Sequence, residues 1–318
     1  MMLDADGLRS RLIAAVPVPF DREGRIHAGA QASQVRAMAA SPAGGVAVWA
    51  HTGRGLMLTI DQRAEVLTAW KSGLAPGQLV VAAAGSPPRE RNPEVVMANS
   101  LAMARQAAEL GADAILVHPP VAFRGLPTQD RLILEYHARV AEAGLPLILF
   151  YLYEAAGGIS YGPTTLLQLL ARPEVLGIKL ATLDSVMTYQ QVGALIRERA
   201  PEKLLITGED RFLGYSLMCG AQAALIGMGA ACVDLQHRMM RAYLDGAAAE
   251  FLELSRKVDD LAQNTFIAPM EGYIQRMLIC LVHEGVIPSE AAHDPWGPKL
   301  PAGESDRIAA CLTRIGRP

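Results

Sequence analysis

Residues 145–182, LPLILFYLYEAAGGISYGPTTLLQLLARPEVLGIKLAT, contain the repeating unit on which the fold depends. Two runs that are apolar almost throughout, 145–152 and 175–180, flank a segment at 163–171 whose apolar residues recur with helical spacing. Parallel strands that helices cover are apolar on both faces. The stretch therefore predicts one strand, one helix and the next parallel strand.

The same pattern extends through most of the chain. Eight short apolar runs alternate with amphipathic segments, and they cover residues 12–18, 45–49, 79–84, 114–117, 145–152, 175–180, 204–206 and 223–228. Strict alternation of eight strands with helices favours a closed barrel over an open doubly wound sheet. No GxGxxG motif follows the first run, as it does in dinucleotide-binding sheets. We predict an α/β fold, a (β/α)8 TIM barrel formed by residues 1–231.

The strand pattern disappears after about residue 232. Residues 234–264 and 272–285 have helical periodicity, and a Pro/Gly-rich segment at 293–303 interrupts this part of the chain. No long linker or low-complexity segment separates it from the barrel. We therefore expect residues 232–318 to be a helical C-terminal extension that packs on the barrel as part of one structural unit.

Composition restricts the class of protein further. A chain of 318 residues with 51% hydrophobic residues can form one large barrel. Its net charge of −3 argues against nucleic acid or an anionic membrane as a partner. Four cysteines without metal-ligand spacing indicate free thiols in a reducing compartment. With no signal peptide and no apolar run of about 18 residues, we predict a cytoplasmic protein without membrane association.

The sixth strand carries a lysine, Lys179, between Ile178 and Leu180. Barrel enzymes place their chemistry at the carboxyl ends of the strands, so this residue is a candidate for catalysis. Burial disfavours an ammonium group and lowers its pKa, which leaves a neutral amine able to attack a carbonyl. The alternative is an ion pair with a barrel carboxylate such as Glu209.

The fifth strand ends with Tyr151 and Tyr153, which share one face of an extended strand. A phenol beside a carbinolamine can move the protons that imine formation and carbon–carbon cleavage require. Alternatively, the two rings fill the core and their hydroxyls are hydrogen bonded.

Two strand ends carry polar residues. After the second strand, Thr52 and Gly53 could bind a carboxylate through a hydroxyl and backbone amides, or they form an ordinary turn. His51 is either an acid–base group or a structural residue. After the seventh strand, Glu209 and Asp210 could bind a metal or polarise the lysine, or Asp210 caps the next helix. No histidine or carboxylate cluster has metal-ligand spacing, so we predict no metal and no cofactor.

These motifs together resemble the dihydrodipicolinate synthase/N-acetylneuraminate lyase family, from about Arg11 to Ala231. The matching motifs, in chain order, are VPVPFDREGRI at 16–26, Thr52-Gly53 with Leu58-Thr59 and Arg63, AGS at 84–86, GADAILV at 111–117 with Pro119-Pro120, GIK at 177–179, and GED at 208–210. Any one of these motifs is weak, whereas six in the correct order are strong support for the family.

The resemblance implies roles for individual residues. Lys179 matches the imine-forming lysine, and Thr52 and Gly53 match the turn that holds the carboxylate of pyruvate. Alignment backwards from the lysine places the family's catalytic tyrosine on Tyr151, whereas alignment forwards from Leu145 places it on Phe150. We predict Tyr151, with Tyr153 as the alternative. The substrate-binding residues are predicted to be Thr52, Gly53, His51, Arg54, Tyr153 and Gly227.

Several positions depart from the family pattern. His51 replaces a relay threonine and Arg54 replaces a glutamate. Synthase members have a tyrosine after the fourth strand, but residues 119–123 of this chain contain none. The arginine that binds the carboxylate of the second substrate in those members falls on Ala155 or Ala156 here. Without that cation the site lacks a charge-assisted bond to a carboxylate. The resemblance therefore implies a divergent member rather than a true dihydrodipicolinate synthase.

We predict a Schiff-base-forming lyase or aldolase that acts on pyruvate or another 2-oxo acid. One alternative is a catalytically altered barrel that binds a 2-oxo acid as a sensor or assembly protein. A second alternative is a 2-oxo sugar acid dehydratase. By resemblance, the protein is expected to be a homo-oligomer, either a dimer or a tetramer. An unrelated phosphate-binding barrel is disfavoured because few glycines follow strands seven and eight.

Overall fold

The computed structural model describes residues 2–183 and 185–317, apart from the side chain of Ala155. In these residues eight parallel strands form a closed barrel in chain order, with the eighth paired to the first. The strands are β1 Leu12–Ala15, β2 Gly45–Val48, β3 Leu79–Ala84, β4 Ala114–Val117, β5 Leu147–Leu152, β6 Val175–Ala181, β7 Leu204–Thr207 and β8 Ala223–Ile226. The predicted TIM barrel is confirmed.

Helices surround the barrel and extend beyond it. Among the described residues, one short α-helix precedes β1, seven connect successive strands, and four come after β8. They are α1 Ala5–Leu8, α2 Ala28–Ala39, α3 Ile60–Gly73, α4 Pro93–Glu109, α5 Gln129–Ala141, α6 Pro163–Leu170, α7 Val186–Arg199, α8 Leu213–Met218, α9 Val233–Leu244, α10 Ala248–Thr265, α11 Tyr273–His283 and α12 Glu304–Arg314.

The first strand ends earlier than predicted, at Ala15 instead of residue 18. Val16 still donates its N–H to the carbonyl of Ala47 at 3.1 Å. Pro17 and Pro19 have no N–H to continue the ladder, which explains the early end. The chain then leaves the barrel as an irregular loop.

The two faces of β5 decide which residues can reach the barrel interior. Phe150 and Leu152 belong to the apolar cluster inside the barrel, whereas Tyr151 belongs to the cluster between strands and helices. Across the ladder, Phe150 pairs with Lys179 and Tyr151 pairs with Leu180. Phe150 and Lys179 therefore face inwards, and Tyr151 faces the helices.

The C-terminal extension differs from the prediction in two respects. The predicted helix 234–264 is two helices, α9 and α10, because the chain turns at Gly246 with a left-handed φ of +70°. No helix is predicted after residue 303, whereas α12 occupies Glu304–Arg314.

Arg276 of α11 holds the segment that precedes α11 and also bonds the start of α12. Its side chain is fully buried, and Nη1 donates to the carbonyls of Ile267 at 2.7 Å and Pro269 at 3.1 Å. Nε donates to Glu304, the first residue of α12, at 2.8 Å. These bonds place the beginning of α11 against the carboxyl end of the barrel, where Tyr273 contacts the loop after β2.

Candidate active site

Lys179 projects into the barrel from β6 and is only 6% exposed. Its Nζ lies 4.1 Å from the centroid of the Phe150 ring. Burial lowers the pKa of Lys179 to about 8, although the nearby carboxylates of Asp210 and Glu209 act in the opposite direction. About a tenth of this amine is therefore neutral at pH 7, far more than for an exposed lysine, and the neutral form is the one that can act as a nucleophile.

The two carboxylates after β7 have different surroundings. Glu209 accepts hydrogen bonds from the Thr182 N–H at 2.6 Å, the Thr182 hydroxyl at 2.8 Å and the Leu183 N–H at 2.9 Å. It therefore fixes the loop after β6. In the described part of the chain, no carboxylate oxygen lies within 4.0 Å of Lys179 Nζ, so the Glu209 ion pair is not formed there.

Asp210 lines the same cavity as Lys179 and accepts a hydrogen bond from the Met228 N–H at 2.7 Å. Burial raises the pKa of Asp210 to about 6, while the Met228 amide and Lys179 lower it. The next helix, α8, begins after Phe212 without a side-chain cap. The capping role considered for Asp210 is therefore wrong.

Gly208 makes room for the lysine. A Cβ atom at this position would lie 2.5 Å from Lys179 Cε and 2.9 Å from the Leu180 carbonyl oxygen. Since neither contact is sterically possible, any other residue would displace the lysine side chain. The glycine of the GED motif is thus explained by the path of Lys179 through the barrel.

Thr52 and Tyr273 meet in the lysine cavity. The two hydroxyl oxygens are 2.9 Å apart, and both side chains are buried. The Tyr273 ring stacks on Phe266 at 4.5 Å, and a Cβ at Gly227 would lie 3.1 Å from Tyr273 Cε2. Burial raises the pKa of Tyr273 well above its usual value, so its phenol remains a hydrogen-bond donor.

Sequence analysis did not identify Tyr273 as a site residue. It is the first residue of α11, in a part of the chain predicted to be supporting structure. No periodicity or motif marks it, because its position depends on packing between segments that are distant in the chain.

His51 and Arg54 are joined to the C-terminal segment. His51 Nε2 lies 2.9 Å from both Glu271 oxygens, and Arg54 Nη1 donates to Glu271 at 2.9 Å. Arg54 Nε and Nη2 donate to Asp294 at 3.2 and 2.7 Å. Burial alone would raise the pKa of Glu271, but His51 and Arg54 lower it to about 2. The charge of Arg54 is thus balanced within the protein.

Of the two residues predicted to bind a carboxylate, Thr52 and Gly53, only one presents a hydrogen-bonding group to the cavity. The Gly53 N–H donates to the Ala50 carbonyl at 3.0 Å, so it closes the turn after β2. Thr52, by contrast, presents its side chain to the lysine cavity. Of this pair, the hydroxyl of Thr52 is the group placed to meet a ligand.

Tyr151 and Tyr153 occupy different environments. Tyr151 donates to Ser160 Oγ at 3.0 Å, outside the lysine cavity, and Ser160 donates to Glu154 at 3.3 Å. Tyr153 lines the cavity that contains Lys179, and its N–H bonds the Ala181 carbonyl at 3.0 Å. Lys179, His51, Thr52, Tyr153 and Gly227 are therefore brought together, and Tyr151 is not.

A second cavity adjoins the first and shares Ala50, His51 and Phe150 with it. Its walls include Leu56, Met57, Pro88, Leu116 and Arg54. His118, which follows β4, lines this cavity as well. The cavity that contains Lys179 therefore adjoins a larger and mainly apolar space.

These features define a (β/α)8-barrel protein with a buried lysine facing a cavity at the carboxyl end of the strands. The family model of the Dihydrodipicolinate synthetase family matches residues 8–309, and the chain belongs to this family. The resemblance found in the sequence is thus confirmed. Members of the family are lyases and aldolases of the class I type.

Individual relatives are distant. A 4-hydroxy-tetrahydrodipicolinate synthase of Xanthomonas axonopodis pv. citri is 27% identical over 299 residues, covering 92% of this chain and 94% of the relative. One from Stenotrophomonas maltophilia is 28% identical over 308 residues, covering 95% and 94%. The sialic acid aldolase of Ruminococcus gnavus superposes with a TM-score of 0.81 at 19% identity, covering 97% of each chain.

Neither a cluster of metal ligands nor a bilayer-spanning helix occurs in the described residues. Within residues 2–183 and 185–317, no three histidine, cysteine or acidic side chains converge as metal ligands would. In the same residues, no helix has the length and apolar character needed to cross a bilayer.

Proposed function

We propose that the protein is a class I lyase or aldolase in which Lys179 forms a Schiff base with pyruvate or another 2-oxo acid. The observation that carries the proposal is the inward, buried position of Lys179, whose pKa is lowered to about 8. A neutral amine in a cavity is what attack on a ketone requires. The family membership supports the same chemistry.

Thr52 is proposed to hold the carboxylate of the oxo acid. A threonine hydroxyl has one proton to donate, and Tyr273 lies 2.9 Å from its oxygen. If Tyr273 donates to Thr52, the threonine proton is directed to the substrate. Tyr273 is then a positioning residue, and the raised pKa keeps it in the donor form.

Tyr153 is proposed to carry the protons, in place of the predicted Tyr151. It lines the lysine cavity and follows β5 directly. Tyr153 gives a proton to the carbinolamine hydroxyl as water leaves, and its phenolate then takes a proton from the methyl carbon of the iminium. The products are an enamine and the regenerated phenol, so protons and charge balance.

A second candidate function is an oxo-acid-binding barrel without turnover. The observation in its favour is that Phe150, which has no acidic proton, faces Lys179 on the neighbouring strand. Such a protein would form the imine but would not catalyse proton transfer at the methyl carbon.

Two measurements on the purified protein test both candidates. Borohydride reduction with pyruvate, followed by peptide mass spectrometry, is expected to label Lys179. Lys179→Arg should abolish the label, whereas Lys299→Arg at an exposed position should keep it. Exchange of pyruvate methyl protons in heavy water then separates the candidates. Labelling with exchange supports the lyase, labelling without exchange supports the binding barrel, and no labelling contradicts both.

A further inference from the structure

We propose that the second substrate is an uncharged carbonyl compound with an apolar substituent, and that His118 donates a hydrogen bond to its carbonyl oxygen. The inference rests on the proposed function, because it concerns the cavity that continues from the lysine. It goes further by naming the chemical class of the acceptor and the residue that recognises it.

The first argument is the character of the wall. The cavity beside the lysine is lined by Leu56, Met57, Pro88 and Leu116. A further cavity shares Leu56, Pro88 and His118 with it and adds Val121, among other apolar residues. Apolar walls favour an apolar substituent, because each buried methylene group leaves water on binding. The polar residues on the described walls are few, namely His51, Arg54, Ser86, Glu90 and His118. A polyhydroxylated acceptor would therefore recover only part of the hydrogen bonds to water that it loses there.

The second argument concerns charge. Arg54 is the only lysine or arginine on the described walls of these two cavities, and its Nε, Nη1 and Nη2 all donate to Glu271 or Asp294. His51, which also lines both cavities, has its Nε2 at 2.9 Å from Glu271. Glu90, which lines the further cavity, is an anion and accepts hydrogen bonds from the N–H groups of Arg91 and Asn92 at 2.8 Å. An acceptor with a carboxylate or phosphate would therefore enter without a free cation to pair with, which is costly in an apolar site.

The third argument is His118. It follows β4 and lines both cavities, and its Nδ1 is buried without a hydrogen-bond partner. Burial lowers the pKa of His118 to about 3, with further lowering by His51, His137 and Lys179. The ring is thus a neutral imidazole, which has one N–H donor. A single donor in an apolar wall matches a single carbonyl oxygen.

The carbon–carbon bond forms between the enamine carbon and the carbonyl carbon of the acceptor, and the carbonyl π electrons move to its oxygen. That oxygen takes the proton of Tyr153, while the enamine nitrogen returns to the iminium form. His118 stabilises the charge that develops on the oxygen. Cleavage is the reverse, with the C–C bond electrons returning to form the enamine.

The test compares aldehydes at equal concentration with pyruvate, and kcat/KM is measured for each. We expect benzaldehyde and hexanal to react at least about tenfold better than glyceraldehyde or succinic semialdehyde. Higher kcat/KM with glyceraldehyde or succinic semialdehyde would overturn the inference. The proposed function would still stand if pyruvate and borohydride label Lys179. Absence of labelling by pyruvate would overturn both.

Variants then test the named residues. His118→Leu is expected to lower kcat/KM for benzaldehyde at least about tenfold, with pyruvate labelling of Lys179 retained and partial recovery in His118→Gln. Met57 is 44% exposed, so Met57→Asp should fold and should weaken benzaldehyde use, whereas Met218→Asp at a 55% exposed residue on α8 should not. Equal aldehyde preference in the Met57 and Met218 variants would contradict the assignment of the wall.

Discussion

Phe150 and Lys179 are direct partners on adjacent strands, and the lysine nitrogen lies 4.1 Å from the centre of the phenyl ring. The ring face attracts the ammonium form of the lysine but has no proton to exchange. The proton carrier of the proposed reaction must therefore come from elsewhere in the cavity. Tyr153, just beyond the end of β5, is the residue that we assign.

A phenol placed at residue 150 should accelerate proton transfer. Phe150→Tyr adds a hydroxyl on the strand face that carries Lys179, and general acid–base catalysis contributes about 100-fold or more where it is well placed. In the Tyr153→Phe variant, where the assigned proton carrier is lost, we expect the added Phe150→Tyr substitution to raise exchange of pyruvate methyl protons at least about tenfold. Phe150→Leu in the same variant, which removes the ring without adding a phenol, is the control and should give no rise. An unchanged rate in the double variant with Phe150→Tyr would show that residue 150 is not placed to exchange protons with the substrate.

The two tyrosines near the end of β5 should respond differently to the same substitution. Tyr153→Phe is expected to lower the exchange rate about 100-fold while borohydride labelling of Lys179 persists, because only the proton carrier is lost. Tyr151→Phe is the matched control. Its hydroxyl bonds Ser160 outside the lysine cavity, so the rate should remain within about twofold. The opposite result would return the role to Tyr151.

Tyr273→Phe tests the positioning of Thr52. Without the phenol, the threonine hydroxyl loses the partner that lies 2.9 Å away. We expect KM for pyruvate to rise about tenfold, as the loss of about 1.4 kcal/mol of substrate binding implies, with kcat changed less than about twofold. A fall in kcat with unchanged KM would instead assign Tyr273 to the chemical step.

Removing the lysine should stabilise the fold near neutral pH. The pKa of Lys179 is about 8 in the folded protein against an ordinary value of 10.5, so the buried ammonium destabilises the protein by about 3 kcal/mol below pH 8. This penalty declines as the pH rises from 8 to 10.5. Lys179→Met should therefore be more stable by about 3 kcal/mol in urea at pH 7, and the difference should shrink at pH 10. A constant difference would contradict the lowered pKa, and Lys299→Met, at an exposed position, is the control.

The bond between Arg54 and Asp294 should matter for stability. The Asp294 side chain is 1% exposed, and Asp294→Asn leaves the mostly buried Arg54 guanidinium with Glu271 as its remaining carboxylate partner. We expect a loss of about 3 kcal/mol in the free energy of unfolding. Asp6→Asn is the control, because Asp6 is 87% exposed in its pair with Arg9 and surface pairs contribute little. Equal stability of the two variants would refute this assignment.

The fold and the lysine were accessible from the sequence because both depend on local patterns. Runs that are apolar on both faces mark buried parallel strands, and a lysine within such a run has few possible environments. The tyrosine was not accessible in the same way. Within β5 the faces alternate regularly, with Phe150 and Leu152 in the interior cluster and Tyr151 in the cluster against the helices. Both faces are buried, so the sequence pattern does not show which set of side chains faces inwards. Tyr153 lies beyond the end of the strand at Leu152, where the alternation no longer applies.

The remaining site residues depend on contacts between distant parts of the chain. Tyr273, Glu271 and Asp294 reach the loop after β2 across more than 200 residues of sequence. Arg54 was predicted from its position to bind substrate, and its actual partners become visible only when the extension is folded against the barrel. Periodicity within a window of 10 to 20 residues carries no information about such contacts.

The pairing of Arg54 with Glu271 and Asp294 has a consequence for engineering. The loop after β2 and the C-terminal segments that carry Glu271, before α11, and Asp294, after it, form one exchangeable unit, because each leaves buried charge behind if it is replaced alone. A chimaera that imports only the loop of a relative would inherit an unbalanced pair of carboxylates. One that imports only the C-terminal portion would inherit an unpaired guanidinium. Transplanting a new specificity into this barrel therefore requires moving both pieces together.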